Sequence, residues 1–141
     1  MTALALARAA ESLCGCPFRL HGRDPNTGLD CIGVLAVALQ LVGREVRFPS
    51  GYLLRTERFS GLVDLAAAHG FVVATGPSQP GDVLLVRPGP AQMHLLVAAT
   101  RINRFVEAHA GLGRVVCRPG PITLPILQRW RLAREPNAQE P

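Results

Sequence analysis

From Gly70 onward, glycine and proline cut the chain into short runs, FVVAT, DVLLVR, HLLVAA, RFVEAH and GRVVCR, each of strand length and rich in valine or leucine. That punctuation constrains the fold most, because strands this short meet their neighbours through tight turns and so favour antiparallel pairing. Ahead of Gly70 the period is helical. Thr2 to Leu13 sets Leu4, Leu6, Ala9, Ala10 and Leu13 roughly on one side, which predicts an amphipathic opening helix stopped by Gly15 and Pro17. Leu29 to Val42 is apolar almost throughout and predicts a helix buried on most sides, capped by Asp30 or Thr27 and ended by Gly43. SGLVDLAAAH, Ser60 to His69, predicts a third helix closed by Gly70, with a loop-rich stretch between it and Gly43. Helices first and strands afterwards argue an α+β fold, an antiparallel meander packed against the early helices, rather than alternating βαβ units. LQRWRLAR, near the end, reads as a last strand or a short helix.

At 141 residues the chain has the size of one domain that buries roughly two thirds of its unfolded surface. The expected organisation is a single domain over residues 1–134 and a frayed tail over 135–141. All 15 basic residues are arginine, and against 10 acids they give a net charge of +5, which favours anionic surroundings. The arginines are scattered from Arg8 to Arg134 with no basic run, so nucleic acid is not an expected partner. Arg8 and Glu11 interrupt the opening apolar stretch before a signal-peptide core forms, so the expected site of synthesis is cytoplasmic without an export signal. The longest apolar run, Cys31 to Val42, is shorter than the ~20 residues of a membrane helix, and no membrane insertion is expected. Cysteines stand at 14, 16, 31 and 117 and are expected as free thiols. Cys14 and Cys16 are too close for a zinc knuckle and lack a second ligand pair, so neither metal nor cofactor is expected.

One cysteine is placed for chemistry. The segment FRLHGRDPNTG concentrates turn formers in an irregular loop that delivers Cys31 to the amino end of the second predicted helix, where free N–H groups and the helix dipole favour a thiolate. Asp30 opposes ionisation by its charge, so a basic partner is needed. His94 opens HLLVAA and His109 closes RFVEAH, and a hairpin between those strands brings the two imidazoles together. In that geometry His94 takes the proton from Cys31 and His109 orients His94. Residue chemistry alone favours reading Cys31 as a small core residue. Cys14, Cys16 and Cys117 read as structural, and His69 as a helix-end residue favoured by the local dipole. His21, in the loop leading to Cys31, can line a cleft.

The stretch GCPFRLHGRDPNTGLDCIG, then PGDVLLVR before His94, then FVEAHA, resembles the NlpC-type peptidases, papain-like cysteine enzymes that cleave peptidoglycan stem peptides. The most specific piece is Asp-Cys-x-Gly, Asp30 to Gly33, supported by Gly81-Asp82 ahead of the strand before His94. The resemblance implies Cys31 as nucleophile, His94 as base and His109 as third residue, with an oxyanion hole using the Cys31 backbone N–H. It implies attack on a stem-peptide amide, typically between D-glutamate and a diamino acid. Relatives commonly carry Tyr at the position of Phe18 and Ser at that of Ile32, where with the aspartate they help bind a substrate amine or polar backbone. Asp30 is what remains of that set here, so Asp30, Phe18 and His21 are the expected substrate-binding positions. Relatives without a signal resemble components of phage tails or gene-transfer particles, which implies delivery to the wall by a particle and particle proteins as partners. The alternatives are a thiol amidase or acyltransferase on a soluble substrate, or a non-catalytic wall-binding tail subunit.

Overall fold

Among the described residues, three helices and eight strands alternate unevenly: α1 (Thr2–Ser12), β1 (Arg23–Asp24), β2 (Gly28–Leu29), α2 (Cys31–Leu41), α3 (Phe59–Ala68), β3 (Phe71–Val73), β4 (Val83–Val86), β5 (His94–Ala98), β6 (Arg104–His109), β7 (Arg114–Pro119) and β8 (Ile126–Leu132). The computed structural model describes residues 2–48, 59–90 and 92–133. The expected frayed tail, and most of the expected loop-rich stretch before the third helix, lie outside them. The architecture is α+β, as the segregation of periods predicts.

β4 to β7 form the expected meander, each antiparallel to the next, and β8 returns to lie between β3 and β4, giving the order β3-β8-β4-β5-β6-β7. LQRWRLAR therefore supplies a strand, and an interior one. The loop before Cys31 is less irregular than its composition suggests, since it holds the small hairpin β1–β2.

Period-two alternation sorts the sheet into two apolar layers. Val83, Leu85, Leu95, Val97, Val106, Ala108, Val115, Trp130 and Leu132 meet the helices through Leu6, Ala10, Leu13, Ile32, Leu35 and Leu39. Leu84, Val86, Leu96, Ala98 and Phe105 pack on the other face beneath Ile122 and Leu124. Covering both faces explains why VLLV of β4 carries no polar residue: all four are buried. α2 is buried from Ile32 to Leu39, consistent with its apolar circumference.

Polar ties set the ends of these elements. Asp82, at the foot of β4, is 0% exposed and accepts from Arg129 Nη1 at 2.7 Å and Arg131 Nε at 2.8 Å, two residues on one face of β8. Burial pushes the Asp82 carboxyl up, but the bonds from Arg131, the Gln79 amide and Arg129 outweigh it and leave it below its ordinary value. Glu11 near the end of α1 accepts from the Thr100 N–H at 2.8 Å, fixing that helix to the β5–β6 turn. His69 stands at the end of α3, as its position in the sequence predicts. It is buried, with Nδ1 bonded to the Leu65 carbonyl at 2.8 Å and Nε2 accepting from the Arg47 N–H at 2.9 Å. Both ring nitrogens thus clamp α3 to the 44–48 segment.

Candidate active site

The loop before α2 is built to hold Cys31 in place. Phe18 bridges to Leu29, with the Arg19 N–H donating to the Leu29 carbonyl at 3.2 Å and the Leu29 N–H donating to the Pro17 carbonyl at 2.9 Å. The Phe18 N–H reaches the Gly113 carbonyl at 2.9 Å and ties the loop to β7. Asp30 then caps α2 in extended conformation (φ −97°, ψ −171°), its Oδ1 accepting from the Gly33 N–H at 2.8 Å. The same carboxylate takes the His21 N–H on Oδ2 at 2.9 Å and Arg23 Nη1 on Oδ1 at 2.8 Å. Asp30 is 7% exposed, so three donors are what make its burial tolerable. The expected substrate-binding carboxylate is thus fixed by the loop, and it also lines the groove.

Gly33 explains the last letter of Asp-Cys-x-Gly. A Cβ there would stand 2.1 Å from the Gly22 carbonyl oxygen, so the absence of a side chain lets the loop lie on the first turn of α2 and brings the His21 N–H to Asp30. His21 itself adopts φ +63°, a left-handed conformation, and its side chain is exposed. Its backbone contributes to the site and its imidazole is not part of the groove wall.

Cys31 is the first residue of α2, half-buried, and shares one groove with His94 at the start of β5. His94 Nε2 lies 3.5 Å from Oε1 of Glu107 on β6. The other oxygen of Glu107, Oε2, accepts from Arg118 Nη1 on β7 at 3.0 Å. Burial favours neutral imidazole, yet the hydrogen bonds and charges of Cys31 and Glu107 outweigh it and raise His94 to about 9. Glu107 is 6% exposed; burial pushes it up, and the bonds from His94 and Arg118 bring it below the ordinary carboxylate value. The result is a partly buried series of cysteine sulfur, imidazolium, carboxylate and guanidinium.

This corrects the expected third residue. The group at His94 Nε2 is Glu107, not His109. His109 faces its own hairpin, where Nδ1 accepts from the Leu112 N–H at 3.0 Å. Glu107 sits two residues before His109 and therefore on the same face of β6. A carboxylate between Val106 and Ala108 in a buried strand was the available signal, since such a charge requires a partner.

Cys31, His94, Glu107 and His109 line one groove of about 440 Å³, together with Phe18, Asp30, Ile32 and Met93. Among the described residues no cluster of three His, Cys, Asp or Glu side chains is arranged to hold a metal ion. The remaining thiols lie elsewhere: Cys14 is exposed and its thiol is pushed up to about 11 by partial burial, then by Cys117, Glu11 and Cys16.

No protein-family model and no curated protein matches the chain by sequence. Solved structures do match. NlpC1 from Trichomonas vaginalis superposes with a TM-score of 0.66 at 17% identity, over 91% of this chain and 44% of that one. The NlpC/p60 domain of the peptidoglycan hydrolase SagA gives 0.57 at 18% identity, over 94% and 98%. The peptidoglycan hydrolase RipB from Mycobacterium tuberculosis gives 0.59 at 25% identity, over 95% and 65%. This chain has the NlpC/p60 fold. The superposition takes in nearly the whole SagA domain, whereas the chain spans less than half the length of NlpC1. In this chain Cys31 stands at the start of α2 and His94 at the start of β5.

Proposed function

We propose that the chain is a cysteine endopeptidase that hydrolyses an amide of peptidoglycan stem peptides. The observation that carries the proposal is the pairing of His94 Nε2 with Glu107 Oε1 at 3.5 Å beside Cys31, all three on the wall of an open groove. SagA and RipB, which share the fold, are named as peptidoglycan hydrolases, and this supports a wall peptide as substrate.

With Nε2 of His94 engaged by Glu107, the proton exchanged with Cys31 passes through Nδ1. The Cys31 thiolate attacks the scissile carbonyl carbon, and the oxygen becomes an oxyanion near the start of α2. There the Cys31 N–H has no intrahelical acceptor and is free to stabilise it. Collapse of the adduct breaks the C–N bond; the nitrogen leaves with the proton from His94, and a thioester on Cys31 remains. Neutral His94 then takes a proton from water, whose oxygen attacks the thioester. The C–S bond breaks, releasing a carboxylic acid and restoring the thiolate. Glu107 holds the ring and stabilises each imidazolium stage, and Arg118 keeps Glu107 ionised.

Purified sacculi incubated with the protein provide the test. New amino and carboxyl ends in equal number, lost in Cys31→Ala, are expected. Turnover of soluble acyl donors without any release from sacculi would instead select the soluble-substrate amidase or acyltransferase.

A further inference from the structure

We propose that a groove at the far end of β5 and β6 from Cys31 is a second binding site for the wall, holding acidic stem peptides that neighbour the one being cut. The identity of the ligand rests on the peptidase reading above; the site is built from residues that take no part in it.

β5 leaves the catalytic groove at His94 and ends at Ala98, and β6 returns from Arg104 toward Glu107. The turn between them therefore stands roughly 13 Å from His94 at the rise of a strand. It faces the 77–80 loop across a groove of about 580 Å³. Both walls are fixed before any ligand arrives. The Thr100 N–H donates to Glu11 Oε2 at 2.8 Å, and the Gly120 N–H donates to the Asn103 carbonyl at 2.7 Å. On the facing side the Gln79 N–H donates to Asp82 Oδ2 at 3.0 Å, and the Gly81 N–H donates to the Ala98 carbonyl at 2.8 Å.

Arg101 and Arg104 line this groove, and neither guanidinium has a hydrogen-bond or ion-pair partner among the described residues. Other arginines are matched: Arg23 by Asp30, Arg118 by Glu107, Arg129 and Arg131 by Asp82. No acid lines the groove, since Asp82 is buried with its two arginines and Glu11 is turned to Thr100. Ile102, 93% exposed, stands between the two cations in sequence, and Pro80, Ala98 and Phe105 add carbon to the same groove. Two unmatched cations beside an apolar surface suit a short acidic peptide with alkyl side chains better than a bare sugar chain or a polyphosphate. A glutamate-containing stem peptide has that chemistry, because one of the two glutamate carboxyls stays free when the other joins the chain. The wall repeats the peptide along its length, so holding one copy here raises the concentration of the next at Cys31 without touching its chemistry.

Binding is measured by co-sedimentation of Cys31→Ala protein with purified sacculi. Adding Arg101→Glu or Arg104→Glu should weaken it about 5- to 20-fold. Arg47→Glu, an equal change of charge at a side chain 77% exposed outside the groove, should weaken it less than about twofold. With Cys31 intact, the same two groove substitutions should raise KM on sacculi by the same factor and leave both kcat and the cleavage of a short soluble stem peptide unchanged. Sacculi whose carboxylates have been converted to amides should bind Cys31→Ala protein as weakly as the Arg101→Glu variant binds native sacculi. Undiminished binding by the groove variants, an equal loss in Arg47→Glu, or full binding to amidated sacculi would overturn the inference. If protein with Cys31 intact cuts neither the soluble peptide nor sacculi, the peptidase reading fails, and co-sedimentation still decides the second site.

Discussion

Cys31 and Glu107 together turn an ordinary histidine into a persistent cation. Against burial, which lowers it, the Cys31 sulfur and the Glu107 carboxylate raise His94 to about 9 from an ordinary 6.5. In Glu107→Gln the amide keeps the shape and removes the charge, so the His94 midpoint should fall toward 6.5. Imidazole proton shifts followed by NMR measure it directly, and a midpoint unchanged near 9 would deny Glu107 its part. Activity should drop about 10- to 100-fold in the same variant, because the ring loses both orientation and charge stabilisation. Cys31, beside that imidazolium, should also alkylate faster near neutral pH than Cys14, whose thiol is pushed up to about 11. Mass spectrometry of the labelled peptides gives the order of reaction. At this scale the sequence was readable where a motif fixed a position, at Asp30, Cys31 and Gly33. It was not readable at the third residue. Glu107 and His109 are both polar, share a face of β6 and differ only in which neighbour each meets, and that depends on packing across strands.

Among the elements, α2 carries the site and the loop before it sets its position. Gly33→Ala would drive a methyl into the Gly22 carbonyl, and a backbone oxygen has nowhere to yield. The loop should lift from α2, breaking the His21 to Asp30 bond, and stability should fall by about 1–3 kcal/mol, measurable by thermal or urea unfolding. An unchanged Tm would mean that the close approach is not required. The three helices and the meander strands were legible because their periods differ and Gly or Pro marks their ends. The hairpin β1–β2 was hidden in turn-rich composition, being two residues per strand and held by bonds to Phe18, Arg19 and Asp30 rather than by an apolar pattern. The strand character of β8 was equally hidden, since Arg129, Trp130 and Arg131 alternate in a way that a short helix also allows.

For the whole molecule, two buried charge clusters set stability at opposite ends of the pH scale. The Asp82 pKa lies below 3.8 when folded, so its contribution is present above that value and is lost as pH falls through the lowered one. The His94 pKa is raised, so its contribution is complete below 6.5 and disappears as pH climbs through about 9. Unfolding free energy measured against pH should therefore hold a plateau between these limits and decline on both sides. Asp82→Asn should remove most of the acid limb and cost about 3–5 kcal/mol at neutral pH, because two arginines then face a site built for a carboxylate. The position of β8 between β3 and β4, which makes that cluster possible, is long-range topology that local patterns do not encode.

In the proposed mechanism Cys31 forms a covalent acyl intermediate with a wall peptide. Acid-quenching the protein during turnover of sacculus fragments, then mapping its peptides by mass spectrometry, tests it directly. The expected result is a thioester-linked acyl group on the peptide containing Cys31, absent in Cys31→Ala together with all cleavage. Turnover with no adduct at Cys31, or undiminished cleavage by Cys31→Ala, would contradict it.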